Sequence, residues 1–169
     1  MIDMKAFIFY LCIVLPSFHS NFADKVSFKD LKLLTGDQWK GKLTYLDYNS
    51  NQKTSIPANL MVQQSTEEKN IFYFIHDYPK EPKANKTDTL IINNDGKQLN
   101  DQSVVKKEKI GNIIKLITES SKGSKDELKN FRYTYLFGSN LFSIKKEEKG
   151  MKDTAYFTRN IYEYQRKSL

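Results

Sequence analysis

The chain contains 169 residues, of which 39% are hydrophobic, 13% aromatic and 28% charged, and its formal net charge is +7. Seven glycines, four prolines and one cysteine exclude collagen-like and disulfide-rich classes, and the aromatic content excludes an intrinsically disordered chain. These numbers predict one globular domain with its own hydrophobic core.

The first predicted element is a targeting segment at the amino terminus. An unbroken run of ten apolar residues, 6–15, follows Lys5 and is followed by a proline and a polar stretch. Ten residues are too few to span a bilayer, which needs about 20. The pattern is typical of a secretory signal peptide over residues 1–23, cleaved after Ala23, although a buried amino-terminal helix or strand is the alternative. We therefore expect a mature domain over residues 24–169 in the periplasm or outside the cell.

Cleavage would change the chemistry available to the mature domain. It would remove Cys12, the single cysteine of the chain, and with it any disulfide, thiol nucleophile or cysteine metal ligand. Only three of the 27 basic residues are arginine, and a lysine excess favours solubility over nucleic-acid recognition. We expect a monomer with no transmembrane anchor and no nucleic-acid partner.

A short helix is the next predicted element. Phe28, Leu31 and Leu34 recur at a spacing of three residues between a potential cap, Ser27, and Gly36. This spacing places the three apolar side chains on one face of a helix or 3₁₀ turn. We expect the segment to plug one end of the fold built by the rest of the chain.

Nine runs rich in β-branched and aromatic residues follow, separated by short polar turns. The predicted strands are Trp39–Tyr48, Thr54–Gln64, Ile71–Tyr78, Thr87–Asn93, Gln98–Lys106, Ile113–Ser120, Leu128–Phe137, Leu141–Glu147 and Thr154–Arg166. The turns are too short for parallel crossovers, which need a dozen or more residues, so consecutive strands are expected to be antiparallel. A long meander without covering helices avoids exposed edges by closing. The sequence therefore predicts an all-β, up-and-down antiparallel barrel of about nine or ten strands.

The start of the first strand resembles a known superfamily. A short apolar helix followed by Gly36, Trp39 and Gly41 at the head of a meander resembles the lipocalins and fatty-acid-binding proteins, the calycins. In that superfamily a Gly-x-Trp opens the first strand, whereas this chain has one residue more between the two. The resemblance implies that a late basic residue packs across the tryptophan, and it suggests Arg159 as the partner of Trp39.

Aromatic residues mark a candidate ligand cavity. Phe131, Tyr133, Tyr135 and Phe137 alternate along one strand, so they share a face, and each tyrosine carries a hydroxyl at the end of an apolar ring. The complete set of predicted pocket residues is Tyr45, Tyr73, Phe131, Arg132, Tyr133, Tyr135 and Phe137. The alternative is a small barrel filled by these side chains. The apolar run 71–75 also permits an outer face covered by the helix or by a partner protein.

Catalytic motifs are absent from the sequence. His76 is the single histidine of the mature chain, and the nucleophile-elbow and zinc-protease motifs are missing. Some haem-binding barrels that resemble this fold ligate iron through one histidine, which makes His76 a candidate ligand. The expectation is nevertheless a protein that is not an enzyme and has no metal and no cofactor.

Two functions remain open at this stage. The resemblance implies an exported lipocalin-like protein that reversibly binds a small apolar or amphipathic ligand inside the barrel. The alternative is a cell-envelope interaction module whose lysine-rich surface contacts acidic polymers, a membrane surface or a partner protein.

Overall fold

A computed structural model describes residues 24–47, 50–124 and 127–166, and the predicted signal segment lies outside them. Within these ranges one α-helix precedes ten strands, with 3₁₀ turns at Pro82–Ala84 and Asn94–Gly96. The elements are α1 (Phe28–Lys32), β1 (Gly36–Asp47), β2 (Gln52–Gln64), β3 (Ile71–Asp77), β4 (Lys86–Asn93), β5 (Gln98–Leu99), β6 (Gln102–Ile110), β7 (Ile113–Lys122), β8 (Lys129–Phe137), β9 (Leu141–Gly150) and β10 (Phe157–Arg166).

The strands form a closed antiparallel barrel. Each strand pairs with its neighbour along the chain, and the last strand, β10, pairs with β1 to complete the circle. Leu43, for example, lies opposite Ile56 of β2 on one side and Tyr162 of β10 on the other. The predicted all-β up-and-down barrel with a short amino-terminal helix is confirmed.

One predicted strand is divided in two. The sequence predicts a continuous strand over Gln98–Lys106, whereas the chain turns after Leu99 and resumes at Gln102. Asn100 adopts a φ of 56°, in the left-handed region that asparagine tolerates better than most residues. The turn leaves β5 with only two residues.

The end of the barrel near α1 is densely packed. Leu31, Leu34 and Trp39 have no exposed side-chain surface, and the Trp39 indole N–H donates to the backbone oxygen of Leu34 over 2.8 Å. Lys107 of β6 joins Asp30 of α1 in a 2.7 Å ion pair, which fixes the helix to the barrel wall. We call this region the closed end.

The basic residue that covers Trp39 is Arg166, where the sequence suggested Arg159. The Arg166 guanidinium lies 4.3 Å from the ring centroid and donates to the backbone oxygens of Leu34 and Thr35 at 3.1 and 3.0 Å. Strand register explains the correction, because Trp39 lies directly opposite Arg166 in the β1–β10 pair. Arg159 is seven residues earlier on β10, at the other end of the barrel, where it pairs with Glu148.

Two glycines permit close backbone approaches that this packing needs. A Cβ on Gly41 would lie 1.8 Å from the backbone oxygen of Glu163, so β1 approaches β10 only without a side chain there. Gly96 has a φ of 87°, and a Cβ there would lie 2.1 Å from the backbone oxygen of Val26. The Val26 amide donates to the Gly96 oxygen over 2.9 Å, which ties the segment before α1 to the barrel.

Candidate ligand-binding cavity

Inward side chains of β8, β9 and β10 stack in three layers along the barrel. The deepest layer is Phe137, Phe142 and Tyr164, and all three side chains are buried. The middle layer is Tyr135, Ile144 and Tyr162, and the outer layer is Tyr133, Lys146 and Asn160. Polarity therefore rises from the interior towards the end opposite Trp39.

A cavity of about 330 Å³ lies against the two upper layers. This volume is at the lower end of the range found for small-molecule sites, about 300 to 1,000 Å³. The residues that line it are Phe74, His76, Lys86, Asp88, Thr89, Leu90, Asn100, Gln102, Tyr133, Tyr135, Ile144, Lys146, Asn160 and Tyr162. The deepest layer is not among them, so the cavity ends above Phe142.

Aromatic and aliphatic groups form the walls of the cavity. The rings of Tyr133 and Tyr135 stack at 15° with centroids 6.2 Å apart, and Tyr162 stands on β10 beyond Ile144. Phe74 of β3 and Leu90 of β4 contribute further apolar surface. Two of the predicted pocket residues, Tyr133 and Tyr135, therefore line the cavity.

The other predicted pocket residues lie elsewhere. Phe137 is fully buried in the deepest layer, 6.3 Å from the Phe142 ring. Tyr45 and Phe131 are half-buried, and neither is part of the cavity lining.

Tyr73 and Arg132 belong to the outer face of the barrel. Tyr73 alternates with the buried Phe72 and Phe74, so its side chain points outwards. Arg132 pairs with Glu119 at 2.8 Å and covers the ring of Tyr156 at 4.0 Å. Neither side chain contributes to the cavity.

His76 is the centre of a hydrogen-bonded chain at the cavity wall. Its Nδ1 lies 3.0 Å from the Tyr164 hydroxyl, and its Nε2 lies 3.3 Å from a carboxylate oxygen of Asp88. Lys86 contacts the same carboxylate oxygen at 2.7 Å. A carboxylate only accepts hydrogen bonds, so we assign the proton to Nε2 and the donor role at Nδ1 to the Tyr164 hydroxyl.

This arrangement does not fit a haem ligand. The His76 side chain is only 2% exposed, and both of its ring nitrogens have partners within the barrel. An iron ligand needs one free nitrogen directed at the metal. As a separate matter, no group of three histidine, cysteine or acidic side chains among the described residues is arranged to hold a metal ion.

The same contacts set the ionisation of the neighbouring groups. The hydrogen bond from His76, assisted by Lys86, lowers the pKa of Asp88 from 3.8 to about 2 against the opposing effect of burial. Burial raises the pKa of Tyr162 and of Tyr164, so both hydroxyls stay protonated at neutral pH. The cavity thus presents a carboxylate already paired with a lysine, beside neutral phenols.

Lys146 is the second cation at the cavity. Its ammonium group lies 5.0 Å from the Phe131 ring centroid and 5.7 Å from that of Tyr133. Its side chain is half-buried and forms no ion pair within the part of the chain that the structure describes. Its neighbour Lys145 instead lies on the outer face and pairs with Glu147 at 2.8 Å.

Strand pairing in the barrel wall is shortest beside the cavity, between β4 and β6. The strand between them, β5, shares two residue pairs with each neighbour, whereas every other pair of adjacent strands shares at least six. The Asn100 side chain extends the pairing: it accepts from the Ile91 amide at 2.7 Å and donates to the Thr89 oxygen at 3.0 Å. We call this region the β4–β6 seam.

Several of these residues escaped the sequence analysis. Lys86 and Asp88 precede Leu90 on the inward face of β4, and Lys146 follows Ile144 on the inward face of β9. The sequence signal that could have identified them is a charged residue two positions from an inward apolar residue on the same strand. Such a charge would face the interior, which is unusual for a filled barrel. His76 was singled out, but its partners were not.

Comparisons with known proteins support the fold alone. No family model matches the chain, and no curated protein matches it. The crystal structure of Rv2717c from M. tuberculosis is similar, with a TM-score of 0.55 and 10% sequence identity, covering 86% of this chain and 100% of that chain. In the described ranges no helix has the length and apolar character needed to cross a membrane. The part of the chain that the structure describes is therefore a ten-strand antiparallel barrel with a fold similar to that of Rv2717c.

Proposed function

We propose that this protein is an exported calycin-like barrel that reversibly binds one small amphipathic molecule in its cavity. The observation that carries the proposal is the cavity of about 330 Å³, which has aromatic walls and a polar rim. Export rests on the apolar run at residues 6–15. Amino-terminal sequencing of the protein recovered outside the cytoplasm tests this part, and an intact leader there would contradict it.

The contrast between filled and open layers supports ligand binding over a merely filled barrel. Phe137, Phe142 and Tyr164 close the interior completely, so side chains of this kind are able to fill it. The next two layers replace Phe142 by Ile144 and Tyr164 by Asn160, and these smaller side chains leave a cavity. Apolar walls gain roughly 25 cal/mol for each Å² of surface that a ligand removes from water.

The polar rim supports an amphipathic rather than a purely apolar ligand. Lys146 and Asn160 lie side by side on β9 and β10, and Gln102 and Asn100 stand on β6 and in the turn before it. The side chains of Asn100 and Gln102 already bond within the barrel. A purely apolar ligand would, however, remove water from Lys146 and Asn160 without replacing its hydrogen bonds. A ligand with one polar end keeps them satisfied.

The proposal is tested by native mass spectrometry and by calorimetric titration. The protein purified from its own host should carry an extra mass that solvent extraction removes. After extraction, at least one of decanoate, 1-naphthol and 2-naphthoate should bind with one-to-one stoichiometry.

A matched pair of variants locates the site. Ile144→Trp fills the middle layer and should abolish binding, whereas Ser143→Trp, one residue earlier on the outer face of β9, should retain it. Thermal unfolding confirms that both variants fold. The absence of binding to all three probes, or equal loss in the two variants, would contradict a ligand site in the barrel.

A further inference from the structure

We infer that the ligand is a small planar aromatic acid whose anionic group pairs with Lys146. This inference rests on the proposed function and specifies its ligand class. It follows from the charges that face the cavity, from the row of donors around Lys146 and from the depth of the apolar layer beneath that row.

The charge balance of the cavity favours an anion. The Asp88 carboxylate is held by Lys86 at 2.7 Å and by His76 at 3.3 Å, so it is already compensated. Lys146 contacts two ring faces instead, and cation–π contacts offset only part of the cost of removing an ammonium group from water. The positive charge of Lys146 is thus available to a ligand.

The outer layer supplies further donors beside this charge. Tyr133, Lys146 and Asn160 lie directly opposite one another on β8, β9 and β10, which are about 4.8 Å apart. A phenol, an ammonium group and an amide therefore stand in one row. A carboxylate has two oxygens with about four acceptor positions, so it can accept from Lys146 and from one of its neighbours together.

The depth of the cavity limits the size of the apolar part. Below the row of donors lies one open layer, Tyr135, Ile144 and Tyr162, and below that the interior is closed. Successive inward layers are two residues apart, about 6.8 Å along a strand. An extended acyl chain of a long fatty acid needs several such layers, whereas a one- or two-ring aromatic group fits in one.

The side chains of the open layer match a flat ring. Two tyrosines flank Ile144, and Phe74 faces the cavity from β3. Aromatic side chains interact with a ligand ring in offset-stacked or edge-to-face geometry and add about 0.5 to 1.5 kcal/mol per pair beyond the area buried. Flat ring surfaces on β8 and β10 therefore favour an aromatic body over a flexible chain.

The test compares three probes by isothermal titration calorimetry: 2-naphthoate, its neutral isostere 2-naphthamide, and decanoate. We expect the protein to bind 2-naphthoate at least ten-fold more tightly than either of the other two. Lys146→Met should weaken 2-naphthoate about ten-fold and leave 2-naphthamide within two-fold. Lys145→Met, the adjacent lysine on the outer face, should leave both unchanged.

The outcomes separate this inference from the proposed function. Equal affinities for 2-naphthoate and 2-naphthamide, tighter binding of decanoate, or equal losses in Lys146→Met and Lys145→Met would overturn the aromatic acid while leaving a binding cavity in place. Failure of these three probes and of 1-naphthol to bind would instead overturn the proposed function, whereas binding of 1-naphthol alone would overturn only the aromatic acid. The comparison between probes on the unmodified protein decides the question even if Lys146→Met does not fold.

Discussion

The two ends of the barrel are built from the same strands but are stabilised differently. At the closed end, the buried ring of Trp39 lies beneath the half-buried guanidinium of Arg166, and the polar atoms of both bond to backbone oxygens nearby. At the cavity end, His76, Asp88 and Lys86 bond to one another through side chains and leave space between the walls. The comparison teaches that this barrel combines a complete ring of paired strands with dense packing at only one end, while the other end keeps a cavity.

The largest expected effect is at the closed end. Trp39→Ala should lower the free energy of unfolding by about 3 to 5 kcal/mol, because it removes a fully buried ring and leaves a cavity under α1. Urea unfolding at neutral pH measures the loss. At the cavity end, Tyr133→Phe should change the same quantity by less than about 0.5 kcal/mol. Similar losses in the two variants would contradict the division between the ends.

The β4–β6 seam should give the next largest effect. Asn100→Ala removes two side-chain hydrogen bonds and places alanine in the left-handed region, so a loss of about 2 to 3 kcal/mol is expected. Asn100→Gly loses the same bonds without the backbone strain and should cost about 1 to 2 kcal/mol. Urea unfolding separates the two contributions, and an unchanged stability in Asn100→Gly would show that the side chain does not hold the seam.

The cover over Trp39 should contribute a smaller amount. Arg166→Met keeps an apolar stem but removes the stacked cation and its bonds to Leu34 and Thr35, and about 1 to 2 kcal/mol should be lost. The control is Arg132→Met, which breaks a more exposed ion pair with Glu119 and should cost less than about 1 kcal/mol. Chemical denaturation measures the loss of unfolding free energy in both variants. An equal loss would show that Arg166 contributes no more to stability than an exposed ion pair does.

The smallest expected effect is a dependence of stability on acid pH at the cavity end. The pKa of Asp88 is lowered to about 2 in the folded protein from an ordinary value of 3.8. Its contribution is therefore complete above about pH 4 and disappears as the pH falls towards 2. Asp88→Asn should flatten the stability profile over this range. Parallel profiles for the two proteins, measured by urea unfolding between pH 6 and 2.5, would contradict the assigned contacts.

Local sequence patterns were sufficient for the fold but not for the site. Alternation and turn residues predict the strands because these signals act within a few residues. The turn at Asn100 that separates β5 from β6 is not predicted, because an asparagine in the left-handed region has no unique sequence signature. The contacts of His76 depend on Tyr164, 88 residues away, and therefore on barrel closure. Strand register, which no local pattern fixes, likewise decided between Arg159 and Arg166.

The start of β10 illustrates the same limit. Arg159 and Tyr162 would face opposite ways in a regular strand, and a shift of register between Thr158 and Asn160 leaves Arg159 without a β9 partner in the ladder. From Asn160 onwards the ladder is regular, so Asn160 and Tyr162 share the inward face with Tyr164, and both line the cavity. A one-residue irregularity thus separates Arg159 from the regular ladder that carries the cavity residues of β10.

The weak pairing at the β4–β6 seam also affects the local motions of the barrel. At the seam, β5 shares only two residue pairs with β4, and the Ile91 amide is bonded to the side chain of Asn100. A bond to a side chain breaks when that one side chain rotates, whereas other adjacent strands are joined by at least six residue pairs. Local openings should therefore be most frequent here, and deuterium should replace the Ile91 amide hydrogen sooner than those of β8 and β9. Because Thr89, Asn100 and Gln102 of the seam line the cavity, the same openings would offer the proposed ligand a route through the barrel wall.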